Sequence, residues 1–202
     1  MQATVILIAA FLLVSSTVQA DPPWYNDRQD LLWFQDEGGQ LQAVKTEQDW
    51  ARRTDHIRAN MELVMGQLPE KSKLSLELTV SETTPLRHYS RQHVTFVVEE
   101  GDRLPGWLLI PHGASELAPC PAMICLPESA APGKDSPAGL TARADLAYAH
   151  ELAERGYVCL VLDYPLLHTA EYGTDPYQLA YVSASMKGIV NHRRGLDLLQ
   201  SL

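Results

Sequence analysis

Residues 120–127 read CPAMICLP, residues 143–156 read RADLAYAHELAERG and residues 157–163 read YVCLVLD. The first and third are short continuous apolar runs, the pattern of strands covered on both faces. The second places apolar residues at helical spacing and stops on Gly156. Strand, helix and strand in that order predict a right-handed crossover with two parallel strands side by side. The open edge of such a sheet is expected along YVCLVLD.

Toward the N-terminus the period changes. In LSLELTV, residues 74–80, Leu74, Leu76, Leu78 and Val80 alternate with polar residues, which predicts a half-buried strand. RQHVTFVVEEGDRLPGWLLIP, residues 91–111, reads as a hairpin turning at Glu100-Gly101-Asp102. The expected class is α/β, with antiparallel N-terminal strands leading into a parallel βαβ core.

Further upstream, residues 47–66 read EQDWARRTDHIRANMELVMG. Trp50, Ile57, Met61 and Val64 fall at helical spacing, Thr46 and Asp49 resemble a capping box, and Gly66 is the stop. This helix is expected to be a packing element. Residues before it form an irregular arm expected to pack its aromatics. MQATVILIAAFLLVSSTVQA, residues 1–20, carries an apolar run and ends Val18-Gln19-Ala20. It reads as a signal peptide cleaved after Ala20, directing export, with membrane anchoring as the alternative. The expected organisation is a signal at 1–20, an arm and helix at 21–70, and a main domain at 71–202.

At the other end, DPYQLAYVSASMKGIVNHRRGLDLLQSL occupies residues 175–202. Asp175-Pro176 is a helix-start signal. Met186, Ile189, Val190, Leu196 and Leu199 offer an apolar face.

With 46% apolar and 20% charged residues, the 202-residue chain is expected to fold around a core. A formal charge of −9 lacks the positive field that phosphate binding requires, so nucleic acid is not an expected partner. Arg52-Arg53 and Arg193-Arg194 read as solvated helix faces, with anion binding the alternative. Cys120, Cys125 and Cys159 are too few for a disulfide framework, though one bridge stays open. Cys125 and Cys159 lie in apolar runs and read as buried thiols.

Neither G-x-x-x-x-G-K nor a strand-following G-x-G-x-x-G occurs, so no nucleotide cofactor is expected. The seven histidines form no metal-binding motif. No G-x-S-x-G elbow occurs in residues 1–202, and Ser183, Ser185 and Ser201 fall within or at the end of the closing helix as structural residues. Asp163 ends a buried strand, where open parallel sheets bind ligands, so it is a candidate acid. Its alternative role is to tie down a loop. The backbone N–H groups of Glu128 and Ser129, after the other strand, are candidate donors to a substrate carbonyl. A weaker reading makes His168 a base with Asp163 and a tyrosine.

Four stretches together resemble a known family: GWLLIPHG at 106–113, APCPAMICLPESAAPGKDSPAGL at 118–140, DLAYAHELAERGYVCLVLDYP at 145–165, and the closing run. They are similar to secreted α/β-hydrolases of the dienelactone hydrolase and acetyl xylan esterase type. GKDSPAGL and SMKGIVNHRRGLDLLQSL carry the specific likeness, which extends over residues 47–202. The resemblance implies hydrolysis of a small-molecule or carbohydrate ester by Ser, acid and His in that chain order. In that family the nucleophile elbow follows the strand after the closing helix. The chain is therefore expected to be a sheet truncated before the elbow, without a catalytic triad. Where relatives carry His after the first parallel strand, this chain has Pro127-Glu128. The alternative is a non-catalytic binding or structural protein that retains half of the scaffold.

Overall fold

The computed structural model describes residues 21–115, 117–165, 172 and 175–202. The signal at 1–20 and the His168 reading lie outside the described residues. The chain divides into two compact units, Met1–Asn60 and Met61–Leu202.

The N-terminal unit holds a two-stranded antiparallel ribbon, β1 (Trp33–Gln35) and β2 (Leu41–Ala43), and most of helix α1 (Glu47–Met65). The capping box forms in both directions. Asp49 N–H donates to Thr46 Oγ1 at 3.1 Å, and Thr46 N–H donates to Asp49 Oδ2 at 3.0 Å. Gly66 ends the helix with φ +92, a conformation that side-chain-bearing residues avoid. The expected apolar stripe does not pack, because Trp50, Met61 and Val64 remain exposed. The helix instead buries Arg53, whose guanidinium lies 3.6 Å from the Tyr25 ring centroid. Tyr25 and Phe34 are buried while Trp24 and Trp33 face outward, so the arm packs only half of its aromatics.

In the C-terminal unit, β3 (Thr79–Pro85), β4 (Tyr89–Glu99), β5 (Asp102–Pro111), β6 (Ala122–Cys125) and β7 (Val158–Leu162) form one mixed sheet ordered β3-β4-β5-β7-β6. The first three are antiparallel neighbours, β7 runs antiparallel to β5, and β6 and β7 are parallel. The expected antiparallel-to-parallel progression is present. Two placements differ. YVCLVLD is interior, paired on both sides, so the open edge falls on β6 instead. Being at an edge, β6 is not covered throughout: Ala122 is exposed and Met123 is 42% exposed, whereas Cys125 is buried. An apolar run of four residues carries no mark that separates an edge strand from a central one.

Alternation along β7 divides the core. Leu160 and Leu162 join Val94, Phe96, Val98, Leu104 and Leu108 on one face, with Val190 and Leu198 of α3 (Ala184–Gln200). Cys159 and Val161 join Tyr89, Leu109 and Cys125 on the other, with Ala149 and Ala153 of α2 (Tyr148–Ala153). A helix thus lies on each face of the sheet. Gly195 permits the approach of α3, since a Cβ there would meet Leu162 Cδ1 at 2.8 Å. Cys125 and Cys159 are free buried thiols. They lie on the paired strands β6 and β7, Cys125 opposite Val161 and Cys159 opposite Met123.

Three element boundaries shift. The strand expected at 74–80 begins only at Thr79, because Glu77 adopts φ +44. Arginine side chains take the carbonyls that a ladder would use: Arg103 donates to Glu77 O and Arg194 to Leu74 O. Leu76 alone of the predicted face packs on the core; Leu74, Leu78 and Val80 are exposed. The helix expected at 143–156 shortens to α2, preceded by a separate 3₁₀ turn at Ala144–Leu146. The closing helix starts at Ala184 because Asp175-Pro176 opens a turn that ends at Ala180, φ +62. Ser183 is the N-cap: its Oγ accepts from Met186 N–H at 3.1 Å and donates to Met65 O at 2.7 Å.

The buried face of α3 matches the predicted one only in part: Met186 and Val190 are buried and Leu199 packs on the core. Ile189 and Leu196 are exposed, while Lys187, Asn191 and Arg194 are buried beside Met186, Val190 and Leu198. Arg53 and Arg194 therefore do not sit on solvated faces. Arg194 is spent on Val97 O, Leu74 O and Asp197.

His192 is also largely enclosed by α3 and its surroundings, and its Nε2 has no hydrogen-bond partner among the described residues. Burial pushes its pKa below the ordinary 6.5; a hydrogen bond to the Gly188 carbonyl opposes this without cancelling it. The unfolded chain then binds a proton near pH 6.5 that the folded chain takes up only at lower pH. Stability should fall as pH drops through 6.5 and level off below the folded value. In urea titrations at several pH values, His192→Gln should flatten this part of the profile. An unchanged slope between pH 7 and 5 would contradict the assignment.

Candidate functional site

The two parallel strands deliver Asp163 and the Leu126–Leu140 loop to the same edge of the sheet. Asp163 is fully buried. Its Oδ2 accepts from Lys134 Nζ at 2.8 Å and its Oδ1 from Lys134 N–H at 3.3 Å. Lys134 is itself 4% exposed, so the pair is sealed from solvent. Asp163 thus grips the loop that follows the other parallel strand.

The same loop is fastened elsewhere along its length. Ser136 Oγ donates to Glu128 Oε1 at 3.1 Å, and Trp107 Nε1 donates to Asp135 Oδ1 at 2.7 Å. Arg91 donates to Ala138 O at 3.1 Å, and the Tyr148 hydroxyl donates to Leu126 O. Burial raises the Tyr148 phenol to about 12, which keeps it a neutral donor at ordinary pH. Glu128 and Ser129 lie at the exposed start of this braced segment. Among the described residues no backbone acceptor takes either N–H. Two N–H groups without a backbone acceptor on a fixed loop can donate to a developing oxyanion. The Glu128 carboxylate, held close by Ser136, opposes negative charge there.

The sequence-predicted residues therefore converge: Glu128 is joined to Ser136, and two residues earlier Lys134 is joined to Asp163. Lys134, Ser136 and Trp107 were not picked out from sequence. A lysine inside GKDSPAGL, opposite a strand-ending aspartate, was the available signal.

The described histidines are engaged separately. His56 meets Tyr25 OH at 2.8 Å, His150 meets Tyr89 OH at 2.8 Å, and His112 meets Leu86 O at 3.0 Å. His93 Nδ1 contacts Ser81 Oγ at 2.7 Å. Ser81 sits at a β-bulge between Val80 and Glu82, and also reaches His93 O at 3.4 Å. This is a cross-strand link on an extended strand, without the sharp turn that presents a nucleophile. Among the described residues no group of three His, Cys, Asp or Glu side chains is placed to hold a metal ion, and no helix is long and apolar enough to cross a membrane.

No family model matches the chain, and no curated protein matches it. A solved structure from Bacteroides fragilis NCTC 9343, provisionally assigned as an acetyl xylan esterase, is similar with a TM-score of 0.59 and 17% sequence identity. The likeness covers 89% of this chain and 56% of that one. The chain shares the fold of that protein. It spans little more than half of the other's length.

Proposed function

We propose that these residues form the N-terminal part of an exported carboxylic ester hydrolase. They supply the sheet and the oxyanion-side loop, while the nucleophile, acid and base come from elsewhere in the complete protein. The observation that carries this reading is the Lys134–Asp163 clamp, which fixes the loop bearing the Glu128 and Ser129 N–H groups. It stands on a scaffold similar to that of the esterase-assigned neighbour. A rigid donor loop at the C-terminal edge of a parallel sheet suits carbonyl polarisation during acyl transfer. Small-molecule or carbohydrate esters are the substrate class in this reading.

Residues 1–202 contain no G-x-S-x-G, so p-nitrophenyl acetate should turn over no faster with this chain than in buffer. The coding DNA after codon 202 should continue in frame through one strand to G-x-S-x-G within ~20 residues, and the extended protein should be active. A stop codon at that point with an otherwise intact gene would favour the second reading, a non-catalytic binding or structural protein. That reading draws on Glu128, whose carboxylate stands where an oxyanion would need positive potential.

A further inference from the structure

The N-terminal unit carries an open recess of about 360 Å³ whose rim includes Trp24 and Trp33. These indoles are 62% and 42% exposed. Tryptophan is highly buried on average, so two open indoles beside one cavity require an explanation. Alternation in β1 produces one of them: Phe34 points inward and is buried, which turns Trp33 outward.

The polar lining is held in place by its own backbone. Asp27 Oδ1 accepts from the N–H groups of Gln29 and Asp30, and Asp30 Oδ1 accepts from Leu32 N–H. Gln35 Nε2 donates to Trp24 O at 2.7 Å. Each side chain is thereby oriented through one atom and retains a second oxygen acceptor: Asp27 Oδ2, Asp30 Oδ2 and Gln35 Oε1. A matching ligand presents a flat apolar face to the indoles and several donors to these oxygens.

Charge narrows the class. An anion would face the two carboxylates. A cation would sit beside Arg28, whose guanidinium already lies 4.2 Å from the Trp24 ring centroid and fills the cation position on that indole. A neutral hydroxylated ring meets neither obstacle: its C–H face covers an indole while its hydroxyls donate to the carboxylates. We propose that the Trp24–Trp33 recess binds a pyranose unit of a neutral oligo- or polysaccharide. Its volume, near the small end for organic-ligand sites, fits one or two sugar rings.

This inference does not rest on the hydrolase reading, because binding is measured without turnover. The full chain is titrated with xylohexaose and with cellohexaose, following tryptophan emission and heat. At least one neutral hexaose should bind saturably, with Kd on the order of 1 mM or tighter. Trp33→Ala, and independently Trp24→Ala, should weaken binding by about tenfold or more. Both positions are exposed, so the unfolding midpoint should stay in place; if one variant misfolds, the other decides. Asp27→Asn, which keeps the oxygen that accepts from Gln29 and Asp30, should weaken binding a few-fold. The proposal is overturned if neither hexaose binds saturably, if well-folded tryptophan variants bind as before, or if a cationic glucosamine oligomer binds more tightly than both neutral sugars.

Discussion

Replacing Lys134 with methionine is expected to destabilise the fold by about 3–5 kcal/mol, the usual cost of removing one partner from a buried ion pair. Met fills similar space, so the loss reports charge more than volume. Lys134 and Asp163 are 4% and 0% exposed, and Nζ stands 2.8 Å from Oδ2. Without the ammonium, the carboxylate keeps the Lys134 N–H but loses a hydrogen-bonded counter-charge at the end of a buried strand. Urea unfolding should show a lower midpoint with an unchanged m-value. Hydrogen exchange should accelerate from Glu128 to Ser136 before it does in β5 or β7. Adding Asp163→Asn to Lys134→Met should recover part of the loss, because the partner left behind is then neutral. A single-variant effect below about 1 kcal/mol would indicate a solvent-screened pair and remove the clamp as the support of the loop.

The parts of this fold that were legible in the sequence are those in which one physical requirement dominates. VCLVL, the run that forms β7, is apolar throughout because the strand is covered on both faces, and the hairpin at Gly101 combines a turn glycine with two strand-forming arms. Legibility failed where polar side chains took over the work of apolar ones. The buried face of α3 includes Lys187, Asn191 and Arg194, so its hydrophobic period pointed to Ile189 and Leu196 on the wrong side. The segment before Thr79 alternates correctly for a strand, but Arg103 and Arg194 claim its carbonyls, which no periodicity discloses. Asp163 was readable as a strand-end acid that could tie down a loop. Its partner was not, because a lysine between glycine and proline residues reads as a solvated loop until the crossover brings it to the strand.

Lys187→Met should be as damaging, again by about 3–5 kcal/mol, for a reason that concerns the helix. Lys187 is fully buried on α3 and donates to Glu99 and to Asp102 Oδ2, the latter at 2.6 Å. These carboxylates flank the β4–β5 turn, so one ammonium holds the helix to the hairpin and separates two like charges. Around it, Tyr172 OH donates to Asp102 Oδ2 at 3.3 Å, and Asn191 Nδ2 donates to Tyr172 OH at 3.1 Å. Burial, and then the Glu99 carboxylate, push the Tyr181 phenol up, so this ring also remains a neutral donor beside Glu99. Removing the lysine takes away the ammonium that these two acids share across the turn. Asp102→Asn in the Lys187→Met background should therefore restore more stability than Glu99→Gln, since Asp102 is buried and Glu99 is partly exposed and can be hydrated. The comparison is made by urea denaturation of the three single and two double variants beside the wild type, as two double-mutant cycles. No rescue by either substitution would show that the network contributes through packing of the lysine stem and not through charge.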